Sequence, residues 1–518
     1  MDALSHSDAA FLAGLAAIAL TVWGGLLATR IPPAGTAAGV VVAAIFFGYP
    51  FFHWEVSPIP ITIDRLLWAV MAAQLVWRIR TVPALLGRDV PLPIASTSQE
   101  GFHGSIGALR LALGEGRPWD GAICCGRFAG WDLGRRLSGV PAADWVPFVW
   151  VLYLALSAAV TAAAGGDAQA AASRWLFYYA LPLGVYLALR TTGFKARSVR
   201  GVLLACVVLG GYLTLMGLFE TAGHRAWVFP RYVASPDYAE FFGRARGPLL
   251  NPIGNGMLLL VAWSAVWTLW PNASPRGRAI LIAASGLMGV GLGCTLTRSV
   301  WMAAAAATLW LLAGIVPGRF RARTAATFVA VAAVAAVALS GRLLELKRDR
   351  DLGASAAAES VRLRPILAAV ALRMAGDRPL LGFGLGQYDR AKLPYLSDRF
   401  GHYPLERARP YTQHNVFLSL LVETGIVGLA GFVLMLALWF RDAWRTVFAA
   451  TASRSRRAAA LLLGAVLIAY VVNGMFHDMS IIPQVHLVLF AAAGFSRGAI
   501  SETARPERSP AGFRPSRS

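Results

Sequence analysis

Apolar residues run through this chain in blocks of about 20, the length an α-helix needs to cross a bilayer, with the polar residues gathered in the gaps between them. The blocks fall at 9–29, 36–53, 60–77, 146–164, 174–190, 200–220, 252–270, 279–297, 299–316, 324–340, 415–440, 458–476 and 481–496. In hydrocarbon every backbone polar group must be satisfied internally, and blocks of this length do so as helices. The pattern therefore predicts an all-α, polytopic integral membrane helix bundle of 12 or 13 transmembrane helices with one large extracytoplasmic loop.

The gaps assign the sides. Residues 190–200 carry Arg190, Lys195, Arg197 and Arg200, residues 317–323 carry three arginines, and 441–457 carry five. All fall on one side of the alternation, which the positive-inside rule makes the cytoplasm. The opposite turns at 54–59 and 165–172 are poor in Arg and Lys. The N-terminus then lies outside as a retained span, since it lacks the basic start and cleavage site of a signal peptide. Three regions follow: an N-terminal bundle 1–220 with a long cytoplasmic loop 78–145, a second membrane domain 221–498 with an extracytoplasmic loop 341–413, and a cytoplasmic basic tail 499–518.

Composition narrows the class further. With 57% hydrophobic and 14% charged residues the chain is no ordinary soluble globule. Its net charge of +21 is accounted for by topology, so no nucleic-acid partner is implied. The four cysteines offer neither a C-x-x-C pair nor a zinc-ligand spacing, and no metal site or disulfide framework is expected.

Basic residues on the outer side are the exception that needs a cause. A loop longer than about 60 residues escapes the charge rule, which covers 341–413 but not 221–250 with its Arg225, Arg231, Arg244 and Arg246. An anionic external ligand is the sharper explanation. In "GRARGPLLNPIGNGMLLL" (243–260), Arg244 and Arg246 precede Asn251-Pro252, a helix-start signal, where backbone N–H groups and the positive helix end favour anions. Anchoring of a helix end at the headgroups accounts for the same arginines. In "CTLTRSVWMA" (294–303), Arg298 stands at a tight join between two uncharged runs, a costly place unless it lines a polar cavity or meets a partner. Arg362 is a further basic residue on the outer side, in the long loop.

"HNVFLSLLVETGIVG" (414–428) opens a span with His414-Asn415. A His at an outer helix end is either an interfacial residue or a general base, since its ordinary pKa near 6.5 lets it take a proton at neutral pH. At about 100° and 1.5 Å per residue, Glu423 lies roughly 180° round the helix from His414 and about 13 Å deeper, so the two form no simple acid/base pair. Glu423 shares a face with Ser419, and a structural hydrogen bond to a neighbouring helix accounts for it. His477-Asp478, at another outer helix end, is a secondary candidate base. The glycines of "RPLLGFGLGQY" (378–388) follow no strand, so tight turns with close backbone approach explain them better than a nucleotide loop.

In this order, the Arg-Gly…Asn-Pro stretch at 246–252, Thr297-Arg298, "RPLLGFGLGQY" and "HNVFLSLLVETGIVG" resemble the bacterial O-antigen ligases and related polysaccharide polymerases that share an O-antigen polymerase-type membrane domain. The resemblance runs from about 200 to 476. It departs from the usual form in "NPIGN", where a second Asn often follows the Pro, and in "TRSVW", where Ser-Arg-Gly or Ser-Arg-Ala is common. It implies a glycosyltransferase of the bacterial inner membrane whose active site faces the periplasm. The implied donor is a polyprenyl-diphosphate-linked glycan such as one on undecaprenyl diphosphate. The implied acceptor is lipid A-core of lipopolysaccharide or a growing glycan, with membrane lipid around it and no cofactor. By that resemblance Arg246 and Arg298 hold the diphosphate, Arg244 and Arg362 assist, His414 activates the acceptor hydroxyl, and transfer is metal-independent and inverting. A polymerase and a protein O-oligosaccharyltransferase share this donor chemistry. A transporter or lipid flippase also shows many spans and an external anionic pocket, but its usual paired, interrupted helices from an internal repeat are not apparent.

Overall fold

The computed structural model describes residues 30–48, 50–51, 53, 61–86, 141–338, 354–397 and 404–501. The expected span at 9–29, most of the loop 78–145 and the tail beyond 501 lie outside the described residues. Among the described residues no element is a strand. The helices are α1 Pro33–Phe46, α2 Ile63–Leu86, α3 Ala142–Ala163, α4 Ala168–Trp175, α5 Leu181–Arg190, α6 Ala196–Ala222, α7 Pro252–Leu269, α8 Pro275–Cys294, α9 Arg298–Ile315, α10 Gly318–Ala338, α11 Ala354–Asp377, α12 Tyr388–Ala391, α13 Val416–Phe448, α14 Arg454–Gly474 and α15 Pro483–Ser501. A π-turn, Leu176–Ala180, joins α4 to α5.

Each of the other twelve expected spans overlaps helix, 36–53 only as far as Phe46 and 174–190 on α4, α5 and the π-turn between them. Seven helices among the described residues are by themselves long and apolar enough to cross a membrane: α3, α6, α7 with the turn that follows it, α8, α9, α13 and α14. The chain is thus an all-α polytopic membrane protein. It divides into two compact units, one of Met1–Leu75 with Ala142–Ser518 and one of Val76–Pro141. The apolar core of the larger unit takes Leu154, Leu203, Leu259, Trp439 and Phe490 into one continuous cluster, so it runs across position 220 without a division.

Three indole N–H groups inside this core are satisfied across helices, as a dry interior favours. Trp150 Nε1 donates to the Gly428 carbonyl at 2.8 Å, Trp310 to Leu461 at 2.8 Å and Trp439 to Ala143 at 3.1 Å. The end of the bundle that the charge bias assigns to the cytoplasm is tied by ions. Asp144 of α3 accepts from Arg190 of α5 at 2.9 and 2.8 Å and from Arg497 of α15 at 2.9 and 2.8 Å. Arg497 also reaches Asp442 of α13 at 2.6 Å.

At the opposite end, two helices start as their sequences dictate. Asn251 caps α7, its side-chain oxygen accepting from the N–H groups of Ile253 and Gly254 at 2.9 and 3.1 Å, with Pro252 in the first turn. Asn415 caps α13 in the same way through Phe417 and Leu418.

The span drawn at 415–440 is not one straight rod. Helix α13 runs on to Phe448 and breaks at Gly425, whose φ of 64° and ψ of −172° are not helical. The segment after α11 fills the break. Ile426 donates to the Pro379 carbonyl at 2.8 Å and Val427 to Leu380 at 3.4 Å, while Phe383 and Gly384 donate to the carbonyls of Val422 and Glu423, both at 2.9 Å. The groups that the lost helical turn would leave orphaned therefore find partners in "RPLLGFGLG", the condition on which irregular backbone survives at membrane depth. At Gly382 (φ 70°) a Cβ would stand 2.5 Å from the Val422 oxygen, so only glycine fits. The expected loop 341–413 is thus largely built structure: α11, α12 and short turns close over the start of α13 through a small core of Leu367, Val370, Met374, Leu396, Leu405 and Val422.

Candidate functional site

The start of α13, the end of α4 and the turn 477–482 between α14 and α15 meet at one end of the bundle. At their junction stands Arg174, just ahead of the π-turn, a local irregularity frequent at functional sites. Its Nη2 donates to Ser480 Oγ at 2.8 Å and to Ser419 Oγ at 3.3 Å. Its Nε lies 3.3 Å from Glu423 Oε2, and its Nη2 lies 3.6 Å from Asp478 Oδ2. Ser419 and Glu423 share a face of α13, one turn apart, so one guanidinium reaches both. Glu423 and Asp478 are nearly fully buried, and burial of two carboxylates against a single cation holds only because each has hydrogen-bonding or ionic partners. Asp478 caps its own turn, accepting from the N–H of Ser480 at 2.9 Å.

Between these elements lies a cavity of about 190 Å³ whose lining includes Arg174, Tyr388, Asp389, Gln413, Glu423 and Asp478. His414 follows Gln413, whose side-chain Oε1 accepts from the His414 N–H at 3.2 Å, and its ring centroid stands 6.3 Å from that of His477. Asn415, besides capping α13, donates from Nδ2 to the Met475 carbonyl at 3.1 Å, which fixes the approach of His414 to the end of α14. Burial, then the charges of Asp389, Asp478 and Glu423, push the Tyr388 phenol above its ordinary pKa, so it remains protonated and a donor. The structure thus places Glu423 and Asp478 on one cavity, with His414 next to its wall residue Gln413 and close to His477.

The arginines are elsewhere on the same end. Arg246 is 1% exposed, and its guanidinium is turned into its own loop: Nε lies 3.3 Å from Glu220 Oε2, Nη1 donates to the carbonyls of Tyr238 and Glu240, and Nη2 to that of Val233. Burial lowers its pKa and Glu220 opposes this, but a guanidinium starts so far above neutrality that it stays charged. With Arg225 it brackets the Phe242 ring, the two cations 4.2 and 4.1 Å from its centroid. Glu220, Arg225, Phe242 and Arg246 line a second cavity of about 150 Å³. Arg244, also 1% exposed, donates to the Thr295 carbonyl at 3.1 Å and to Thr297 Oγ1 at 2.7 Å. It therefore holds the turn that presents Arg298, the exposed first residue of α9. Arg362 lies on α11, with its side chain outside the described residues.

Sequence reasoning missed Arg174, Tyr388, Gln413 and Ser480. For Arg174 there was a sign: it is the one charged residue between 168 and 189 and stands at the outer end of an apolar block, against the charge bias. Tyr388 closes the quoted stretch "RPLLGFGLGQY", whose glycines drew the attention, and Gln413 and Ser480 carry no local pattern. Among the described residues no group of three or more His, Cys, Asp or Glu is arranged to hold a metal ion.

Set beside known proteins, residues 283–433 match the family model described as O-Antigen ligase. No curated protein matches the chain. The matched stretch takes in α9, α11, the insertion into the α13 break and the first half of α13 with His414 and Glu423. Over that stretch, less than a third of the chain, the protein is similar to the O-antigen ligase family.

Proposed function

On the premise of an O-antigen ligase domain at 283–433, we propose that this protein transfers a glycan from a polyprenyl-diphosphate-linked donor to an acceptor hydroxyl at the periplasmic face of the bacterial inner membrane. The observation that carries the reading is His414: it adjoins the larger cavity through Gln413 and is fixed by the Asn415 cap at the mouth of a polar cluster. The acceptor oxygen attacks the anomeric carbon and its proton passes to a ring nitrogen of His414. The bond to the diphosphate oxygen breaks with its electron pair, and direct attack inverts the anomeric centre. Arg298, with Arg225 on the wall of the second cavity, supplies the charge that stabilises the departing diphosphate, while Arg246, its guanidinium engaged by Glu220 and loop carbonyls, shapes that wall. Arg244 serves by fixing the turn that carries Arg298, and Arg362 assists the clamp. A lipid A-core acceptor makes the protein a ligase and a growing glycan makes it a polymerase; the chemistry at His414 is the same in both.

The test is reconstituted transfer from purified lipid-linked glycan. Because cationic side chains take the place that a divalent ion has in other phosphate-leaving reactions, transfer should be undiminished in excess EDTA. Loss of activity restored by Mg²⁺ or Mn²⁺ would shift the chemistry to the acidic residues Asp377, Asp389 and Asp398. A fork of guanidinium donors is not reproduced by an ammonium, so Arg298→Lys should lower kcat/KM for donor by about 10-fold or more, the worth of one or two charge-assisted hydrogen bonds at roughly 1.5–3 kcal/mol each. Wild-type kcat/KM in that variant would remove Arg298 from the clamp.

A further inference from the structure

The two cavities at this end differ in charge. The second has two guanidinium groups, Arg225 and Arg246, against one carboxylate, Glu220. The larger has one, Arg174, against three, Asp389, Glu423 and Asp478, with Lys392 bonded to Asp389 at 2.7 Å. A diphosphate entering the larger cavity would meet net negative charge and an Arg174 already engaged by Ser419, Ser480 and Glu423. Repulsion between like charges in a partly dry site is worth several kcal/mol, so a phosphate does not belong there.

What the cavity does present is neutral donors and charged acceptors. Tyr388 is 4% exposed, lines the cavity, and its hydroxyl makes no hydrogen bond. Glu423 is 2% exposed and its Oε2, although within ionic reach of Arg174, is likewise without a hydrogen bond. Leaving such groups unsatisfied is costly, more so for a charge. A buried phenol O–H and a buried carboxylate oxygen in one cavity match the paired acceptor and donor capacity of sugar hydroxyls. Gln413 closes the chain of contacts: its Nε2 donates to the Leu367 carbonyl at 3.0 Å and its Oε1 holds the His414 N–H, so the cavity wall is joined directly to the proposed base. The volume is below the roughly 300–1,000 Å³ of a drug-sized ligand site, which suits one residue of a glycan rather than a chain.

Building on the transfer reading, we infer that the cavity between α4, α13 and the turn 477–482 is the acceptor subsite, taking an uncharged, hydroxyl-rich sugar residue, with Tyr388 and Glu423 as its hydrogen-bonding pair. The diphosphate is held apart from it, on the side of Arg298 and the second cavity. Tyr388 and Glu423 act here as specificity and positioning residues, and the reaction itself proceeds as described above.

The test uses the full chain in proteoliposomes, with lipid-linked glycan as donor, whichever acceptor the wild type uses, and inorganic pyrophosphate as a donor-side inhibitor. Tyr388→Phe removes a hydroxyl that has no partner in the protein and so should fold normally. It should raise the acceptor KM about 3–10-fold, one neutral hydrogen bond, leaving the donor KM and pyrophosphate inhibition unchanged. Glu423→Gln should raise the acceptor KM further. An unchanged acceptor KM in Tyr388→Phe, or a weakening of donor binding or pyrophosphate inhibition in either variant, overturns the assignment while leaving the transfer reading standing. A wild-type protein that transfers nothing removes that reading, and this inference with it.

Discussion

His414→Ala should reduce glycan transfer by about 10²–10⁴-fold, the usual worth of a positioned general base, with protein level and thermal midpoint close to wild type. The fold should tolerate the change because the side chain that builds the start of α13 is the neighbouring Asn415, which caps the helix and ties it to Met475. His477 stands 6.3 Å away, ring to ring, at the end of α14, and its replacement by Ala is the necessary companion. If His414 is the base, His477→Ala should retain most of the activity, and the donor and acceptor KM of His414→Ala should change much less than kcat, since the base acts in the transition state rather than in binding. A large loss in His477→Ala with near-normal turnover in His414→Ala would exchange the two roles. Rates are best taken under single turnover, so that slow product release does not mask a loss in the chemical step.

The helices were legible because apolar length is a property of each segment alone. Blocks such as 200–220 and 252–270 need no knowledge of their neighbours to be read as helices, and Asn251-Pro252 marks its own helix start within a residue. The break in α13 was not legible, although both of its halves were in view. "RPLLGFGLGQY" reads as tight turns and "VETGIVG" reads as continuous helix; what breaks the helix is the meeting of the two, through hydrogen bonds between residues 39 to 47 positions apart.

The site divides along the same line. His414, Glu423, His477 and Asp478 stand out as polar residues at or inside helix ends, where the cost of placing them draws attention. Arg174 was visible in principle but was absorbed into the edge of a span. Tyr388, Gln413 and Ser480 are unremarkable in type and become meaningful only when α4, α13 and the 477–482 turn close on one cavity. The arginines show the opposite limit. Their positions outside the charge bias were evident, but whether a guanidinium faces a ligand or its own loop depends on carbonyls such as those of Glu240 and Thr295, which the order of residues does not reveal.

Gly425→Ala should be the most destabilising single-methyl change in the described membrane domain. The native φ of 64° with ψ of −172° lies in a region essentially reserved for glycine, where another residue costs about 1–3 kcal/mol. The new Cβ would also overlap the Leu380 carbonyl and crowd the Leu381 nitrogen. Those atoms are backbone, already fixed by the bonds of Ile426 to Pro379 and Val427 to Leu380, so no side chain can rotate away to make room. Overpacking of this kind adds about 1–3 kcal/mol, giving roughly 2–6 kcal/mol in all. Because the displaced segment leads to Gly386 and Tyr388 on the cavity wall, transfer should fall together with stability. Gly293→Ala is the control: it sits in α8 with nothing within 4 Å of the added methyl, and should be neutral or stabilising by up to about 1 kcal/mol. Thermal midpoints of both variants in the same detergent decide the matter. A Gly425→Ala protein as stable as the Gly293→Ala protein would mean that α13 runs unbroken through position 425, and that "RPLLGFGLG" finds its hydrogen bonds elsewhere.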